Sequence, residues 1–82
     1  MRRIIVERAF TQPQTDQDMQ VVADRERPCL SIYNVTWKRS VLSADRMRMV
    51  CEYEAADAET VRKVQRQAAA PFERVWVGDV IE

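Results

Sequence analysis

An α+β domain in the order β-α-β-β-α-β is what this sequence predicts, and three patterns predict it. Two stretches of alternating residues, Val35–Leu42 and Met47–Glu54, stand back to back with only Ser43-Ala44-Asp45-Arg46 between them, the spacing of a β-hairpin. On either side of the hairpin lies a stretch with helical spacing, one opened by Thr15 and the other by Asp57. Outside these lie two β-rich runs, Arg3–Phe10 and Arg74–Ile81.

Each element has its own punctuation. The first run is rich in β-branched residues and is broken by Gln12-Pro13-Gln14. Thr15-Asp16-Gln17-Asp18 has the Thr-x-x-acid form of a capping signal, with acids suited to the positive helix start. Met19, Val22, Ala23, Glu26 and Leu30 follow at helical spacing. Pro28 predicts that this helix stops near Arg27 or else kinks there, with the stop the favoured reading, since a proline inside a helix costs about 3 kcal/mol. In the hairpin, a three-residue loop at Ala44–Arg46 sets Trp37 opposite Tyr53, Lys38 opposite Glu52 and Arg39 opposite Cys51. Val35, Trp37, Arg39 and Val41 then share one face. Asp57 caps a second helix running to about Ala69, with Ala58, Val61, Val64 and Ala68 inward and Glu59 and Lys63 paired outside. Pro71 separates it from the last strand.

Two helices that return the chain to a four-stranded antiparallel sheet make the ferredoxin-like plan, within a single domain spanning residues 1–82. Two short helices cover one sheet face. Trp37, Val41, Met49 and Tyr53 are expected on one face, with Ile4, Val6, Val50 and Trp76 on alternating positions elsewhere, so neither face is cleanly polar. A second apolar face on so short a chain predicts a sheet-to-sheet homodimer.

Composition excludes several classes. Thirteen basic residues balance thirteen acidic ones, which argues against a general nucleic-acid or anionic-membrane surface. Glu7, Glu52 and Glu54 on the predicted strands would repel phosphates, and Trp76 and Phe72 read as core rather than as a stacking platform. The apolar run Ile4–Val6 is too short for a signal peptide or a membrane span, so a cytoplasmic setting is expected. Cys29 and Cys51 fit no zinc spacing, there is no histidine, and buried reduced thiols are expected, with no metal and no cofactor.

Val6-Glu7-Arg8-Ala9-Phe10 and Val50-Cys51-Glu52-Tyr53-Glu54-Ala55, with Trp37–Ser40 between them and the acid-capped helix after Asp57, resemble a family of small ferredoxin-like proteins of unknown function. The named representative of that family is a nickel-binding protein. The family commonly has a histidine two residues after the tryptophan and another in the first strand motif; Arg39 and Ala9 stand there in this chain. Arginine is permanently charged and does not ligate metals, so the resemblance implies the scaffold without the nickel ligands.

Glu7 and Arg39 stand out as charges within apolar alternations, with Trp37, Cys51 and Tyr53 nearby in the predicted register. One expectation is a ligand pocket at the sheet, with Arg39 holding an anion, Glu7 as acid or base, and Cys51 as a thiol nucleophile. The other is a structural Glu7–Arg39 pair at a dimer interface with Trp37 and Tyr53 as packing. No residue is assigned a catalytic role. The function expected is a dimeric small-molecule or metal-binding-type module. The alternatives are a cofactor-independent enzyme of the dimeric α+β barrel type acting on a small apolar substrate, or a structural interaction protein.

Overall fold

The computed structural model describes residues 1–82. Its elements are β1 (Arg2–Ala9), α1 (Asp16–Ile32), β2 (Thr36–Leu42), β3 (Arg48–Ala55), α2 (Ala58–Gln67) and β4 (Arg74–Gly78). The four strands form one antiparallel sheet in the order β2-β3-β1-β4, the ferredoxin-like topology. No helix is long and apolar enough to cross a membrane.

The core lies between the sheet and the helices. Ile4 and Val6 of β1, Cys51, Tyr53 and Ala55 of β3, Val75 of β4 and Val61 and Val64 of α2 form one buried cluster, together with Val35 just before β2. α2 is therefore a packed helix with its valines inward. Asp57 caps it by accepting from the Thr60 amide at 2.7 Å, as the sequence predicts. Glu59 turns toward Arg62 and Arg66 rather than the expected Lys63.

Both helices end the same way. Val35 N donates to Leu30 O and Asn34 N to Ser31 O, while Ala70 N donates to Gln65 O and Ala69 N to Arg66 O; each set is a Schellman closure. Asn34 (φ 55) and Ala69 (φ 53) hold the left-handed positions that glycine usually takes there. Arg25 of α1 donates to the carbonyls of Ala68 and Ala69, stitching the first helix to the end of the second.

Two expectations are corrected here. First, α1 does not stop near Arg27: it runs through Pro28 to Ile32. Pro28 is exposed, and so is Asp24, whose carbonyl loses its helical donor to the ring and can face water. Anchors on both sides outweigh the cost, Glu26 before the proline and Cys29 and Leu30, packed on the core, after it. Second, Ser43 N donates to Arg48 O, which makes the hairpin loop one residue longer than predicted. A β-bulge between Trp37 and Arg39 absorbs the extra residue. The predicted Trp37–Tyr53 pairing is present, but beyond the bulge Arg39 faces Glu52, Ser40 faces Cys51 and Val41 faces Val50. A one-residue slip exchanges the faces of a strand, so Arg39 and Val41 point away from the helices while Trp37 stays beneath them.

Gln65 is fully buried, and neither of its amide side-chain atoms has a hydrogen-bond partner. An unpartnered buried amide is destabilising, so Gln65→Met should raise the unfolding free energy by about 1 kcal/mol or more in a urea titration. A fall in stability would mean that the amide is satisfied in solution.

Candidate functional site

β1 carries a charge on each face. Glu7 points to the open face, and Arg8, one residue on, points under α1 and is only 3% exposed. Alternation then sets Tyr53 and Cys51 of β3 on the same side as Arg8, and Glu26 reaches down from α1. Arg8 Nη2 donates to Glu26 Oε1 at 3.1 Å and to the Tyr53 hydroxyl at 3.0 Å. The Tyr53 hydroxyl donates to Glu26 Oε2 at 2.8 Å, and Arg8 Nη1 donates to the Pro71 carbonyl at 2.8 Å. Three elements and one loop are thereby joined through one guanidinium.

This cluster forms the inner wall of a cavity of about 500 Å³ between α1 and the sheet. Met19, Val22, Ala23 and Leu30 of α1 line it from above, with Met49, Cys51 and Trp37 opposite and Gln14, Gln20 and Arg27 among its polar members. Trp37 is half exposed and donates its indole N–H to Ser40 Oγ at 2.9 Å. Burial pushes the Tyr53 hydroxyl well above the ordinary tyrosine value; Arg8 opposes that shift and Glu26 adds to it. Burial also opposes the charge on Arg8, yet Cys51, Tyr53 and Glu26 around it hold its pKa above the ordinary arginine value.

The residues singled out in the sequence divide between two faces. Trp37, Cys51 and Tyr53 line the cavity. Glu7 and Arg39 do not, and they do not meet each other. Glu7 accepts from Trp76 Nε1 at 2.6 Å and from Arg74 at 3.0 Å, and these two partners, Trp76 foremost, hold its carboxyl below the usual range. Arg39 is largely exposed and donates to Glu52 at 3.0 Å; Glu52 also accepts from Arg3 at 2.6 Å. Arg8 and Glu26 escaped sequence reasoning. The signal for Arg8 was present, because strict alternation from Ile4 and Val6 continues to Arg8 on the buried face. Glu26 stood on the predicted inward stripe without a partner to explain it.

Residues 5–77 match the family described as nickel responsive protein SCO4226-like, and the chain belongs to that family. No curated protein matches it. Among solved structures it is similar to that of SCO4226 from Streptomyces coelicolor A3(2), with a TM-score of 0.86 and 12% identity over 98% of this chain and 99% of that one. At that identity the likeness is one of fold.

The residues present do not suit a nickel ion. The chain has no imidazole, and nowhere do three or more His, Cys, Asp or Glu side chains converge. Within the cavity the carboxylate of Glu26 is already engaged by Arg8 and Tyr53, and a divalent cation there would lie against the guanidinium.

Two outcomes test this geometry. Arg8→Ala leaves Glu26 buried without its cation and should cost about 3–5 kcal/mol in a urea melt, whereas Arg39→Ala, at an exposed pair, should cost under about 1 kcal/mol. Equal losses would contradict the placement. The second outcome is alkaline. Tyr53 is held protonated in the folded state, so the fold binds more protons than the unfolded chain once pH passes the free tyrosine value of about 10. Stability should therefore be intact below about pH 10 and fall as pH rises above it. Tyr53→Phe should flatten that fall, and the tyrosinate absorbance of Tyr53 should appear only with unfolding.

Proposed function

We propose that this chain is a small-molecule binding module of the nickel-responsive-type family, working as a homodimer in the cytoplasm, with its ligand in the cavity beneath α1. The cavity is the observation that carries this: mostly apolar walls with a few convergent polar groups, at a volume suited to a small ligand. Binding is favoured over a cofactor-free reaction because Glu26, the one carboxylate on the cavity wall, already accepts from both Arg8 and Tyr53. A free base would need an open lone pair toward the substrate. A homodimer is supported by Val41, Val50 and Trp76, which stand exposed on the sheet face that no helix covers. The bulge turns Val41 onto that face together with Arg39, which joins the ion pairs there, while Trp37 keeps its place on the helix side.

Trp76→Phe leaves Trp37, on the cavity rim, as the only indole. Titration of that variant with the neutral dye N-phenyl-1-naphthylamine should change Trp37 emission with one equivalent per chain. Ala23→Phe, placed on the α1 wall in the same variant, should fill the cavity and weaken the dye at least about tenfold while the circular dichroism stays native. Absence of saturable dye binding would refute the cavity as a site. Light scattering should give twice the chain mass at micromolar concentration; a monomer would refute the dimer alone.

A further inference from the structure

We propose that the ligand of this cavity is an uncharged, largely apolar molecule bearing one hydrogen-bond acceptor, such as a ketone or ester oxygen, received by Arg8; this rests on the cavity being a binding site. A guanidinium has five N–H donors. The hydrogen bonds engage three of them, Nη1 with Pro71 O and Nη2 with Glu26 Oε1 and the Tyr53 hydroxyl. Two donors are left without an oxygen acceptor on a side chain that is 3% exposed and lines the cavity. The Cys51 thiol is also a side-chain hydrogen-bond partner of Arg8, but a thiol is a weak acceptor and leaves room for a stronger one. An oxygen brought in by a ligand would satisfy a donor that the protein leaves open, and a ligand lacking that oxygen would not.

Charge sets the second condition. Arg8 and Glu26 neutralise each other at 3.1 Å, so the buried cluster carries no net charge for a ligand to balance. An anion at Arg8 would lie close to the Glu26 carboxylate, and a cation would lie against the guanidinium. The only other cation on the cavity wall is Arg27, which is exposed and already paired with Asp24 at 2.9 Å. The third condition is shape and polarity: Met19, Val22, Leu30 and Met49 offer the remainder of the ligand apolar walls.

Three probes of nearly one shape separate these conditions: 2-acetonaphthone, 2-ethylnaphthalene and 2-naphthoate, each titrated into the wild-type protein by calorimetry. The ketone should bind roughly tenfold or more tighter than the hydrocarbon, the range expected for one hydrogen bond to a charged donor, and also tighter than the carboxylate. In Arg8→Met/Glu26→Gln, which removes both charges together, the ketone should lose its advantage over the hydrocarbon. Equal binding of ketone and hydrocarbon to the wild type overturns the acceptor assignment, and tightest binding by 2-naphthoate overturns the requirement for neutrality; either leaves the cavity itself standing as a site. Failure of all three to bind takes down the cavity and this inference together. The wild-type comparison decides the matter even if the double variant does not fold.

Discussion

The ion pair between Arg8 and Glu26, closed by the Tyr53 hydroxyl, is the one contact that most of this fold's first half depends on. Of the seventeen residues of α1 only Glu26 is buried, so the helix is held to the sheet at a charged point, with Cys29 and Leu30 partly buried against the core near its end. A buried pair of this kind need not add much stability compared with a well-packed hydrophobic contact. Its value is positional: the two bonds from one Nη2 and the third from Tyr53 to Glu26 fix where the helix sits over β1 and β3. The same cluster explains the cavity. An arginine, a glutamate and a tyrosine satisfy one another over a short span, and the smaller side chains around them, Ala23 and Val22, do not fill the space beside it.

The two helices therefore do different work. α2 packs its valines against the sheet and closes its end with a Schellman turn that Arg25 caps from the neighbouring helix. It forms the sealed side. α1 crosses an exposed proline, carries a capping box between Thr15 and Asp18, and stands over the open volume. An asymmetry of this sort lets one scaffold keep its core while the contents of the site change. Membership of a family described as nickel responsive fits that picture: the scaffold is shared, and the chemistry offered by this chain is that of a buried arginine cluster rather than of imidazole ligands.

On the opposite face the sheet is laced by charge. Arg3 and Arg39 converge on Glu52, Lys38 meets Glu54, and Arg74 and Trp76 hold Glu7. These exposed pairs contribute little each. They break the apolar surface into small islands at Val41, Val50 and Trp76.

The order of elements, the capping signals at Thr15 and Asp57 and the pairing of Trp37 with Tyr53 follow from the residues alone. Each depends on residues close in the chain or on strict alternation. Membership of the family was legible as well, through the short strand motifs. The candidate site was legible only in part: Trp37, Cys51 and Tyr53 were named and line the cavity with Arg8 and Glu26, whereas Glu7 and Arg39, named beside them, lie outside it. Tertiary structure decided that division. One additional loop residue, absorbed by the bulge at Lys38, turned Arg39 outward, and no local pattern reports where a bulge falls. Likewise α1 passes through Pro28 because of anchors that local propensity does not contain. Arg8 finds Glu26 18 residues away and Tyr53 45 residues away, and a partner at such separation is chosen by how helix and sheet pack, not by the neighbours of either residue in the chain.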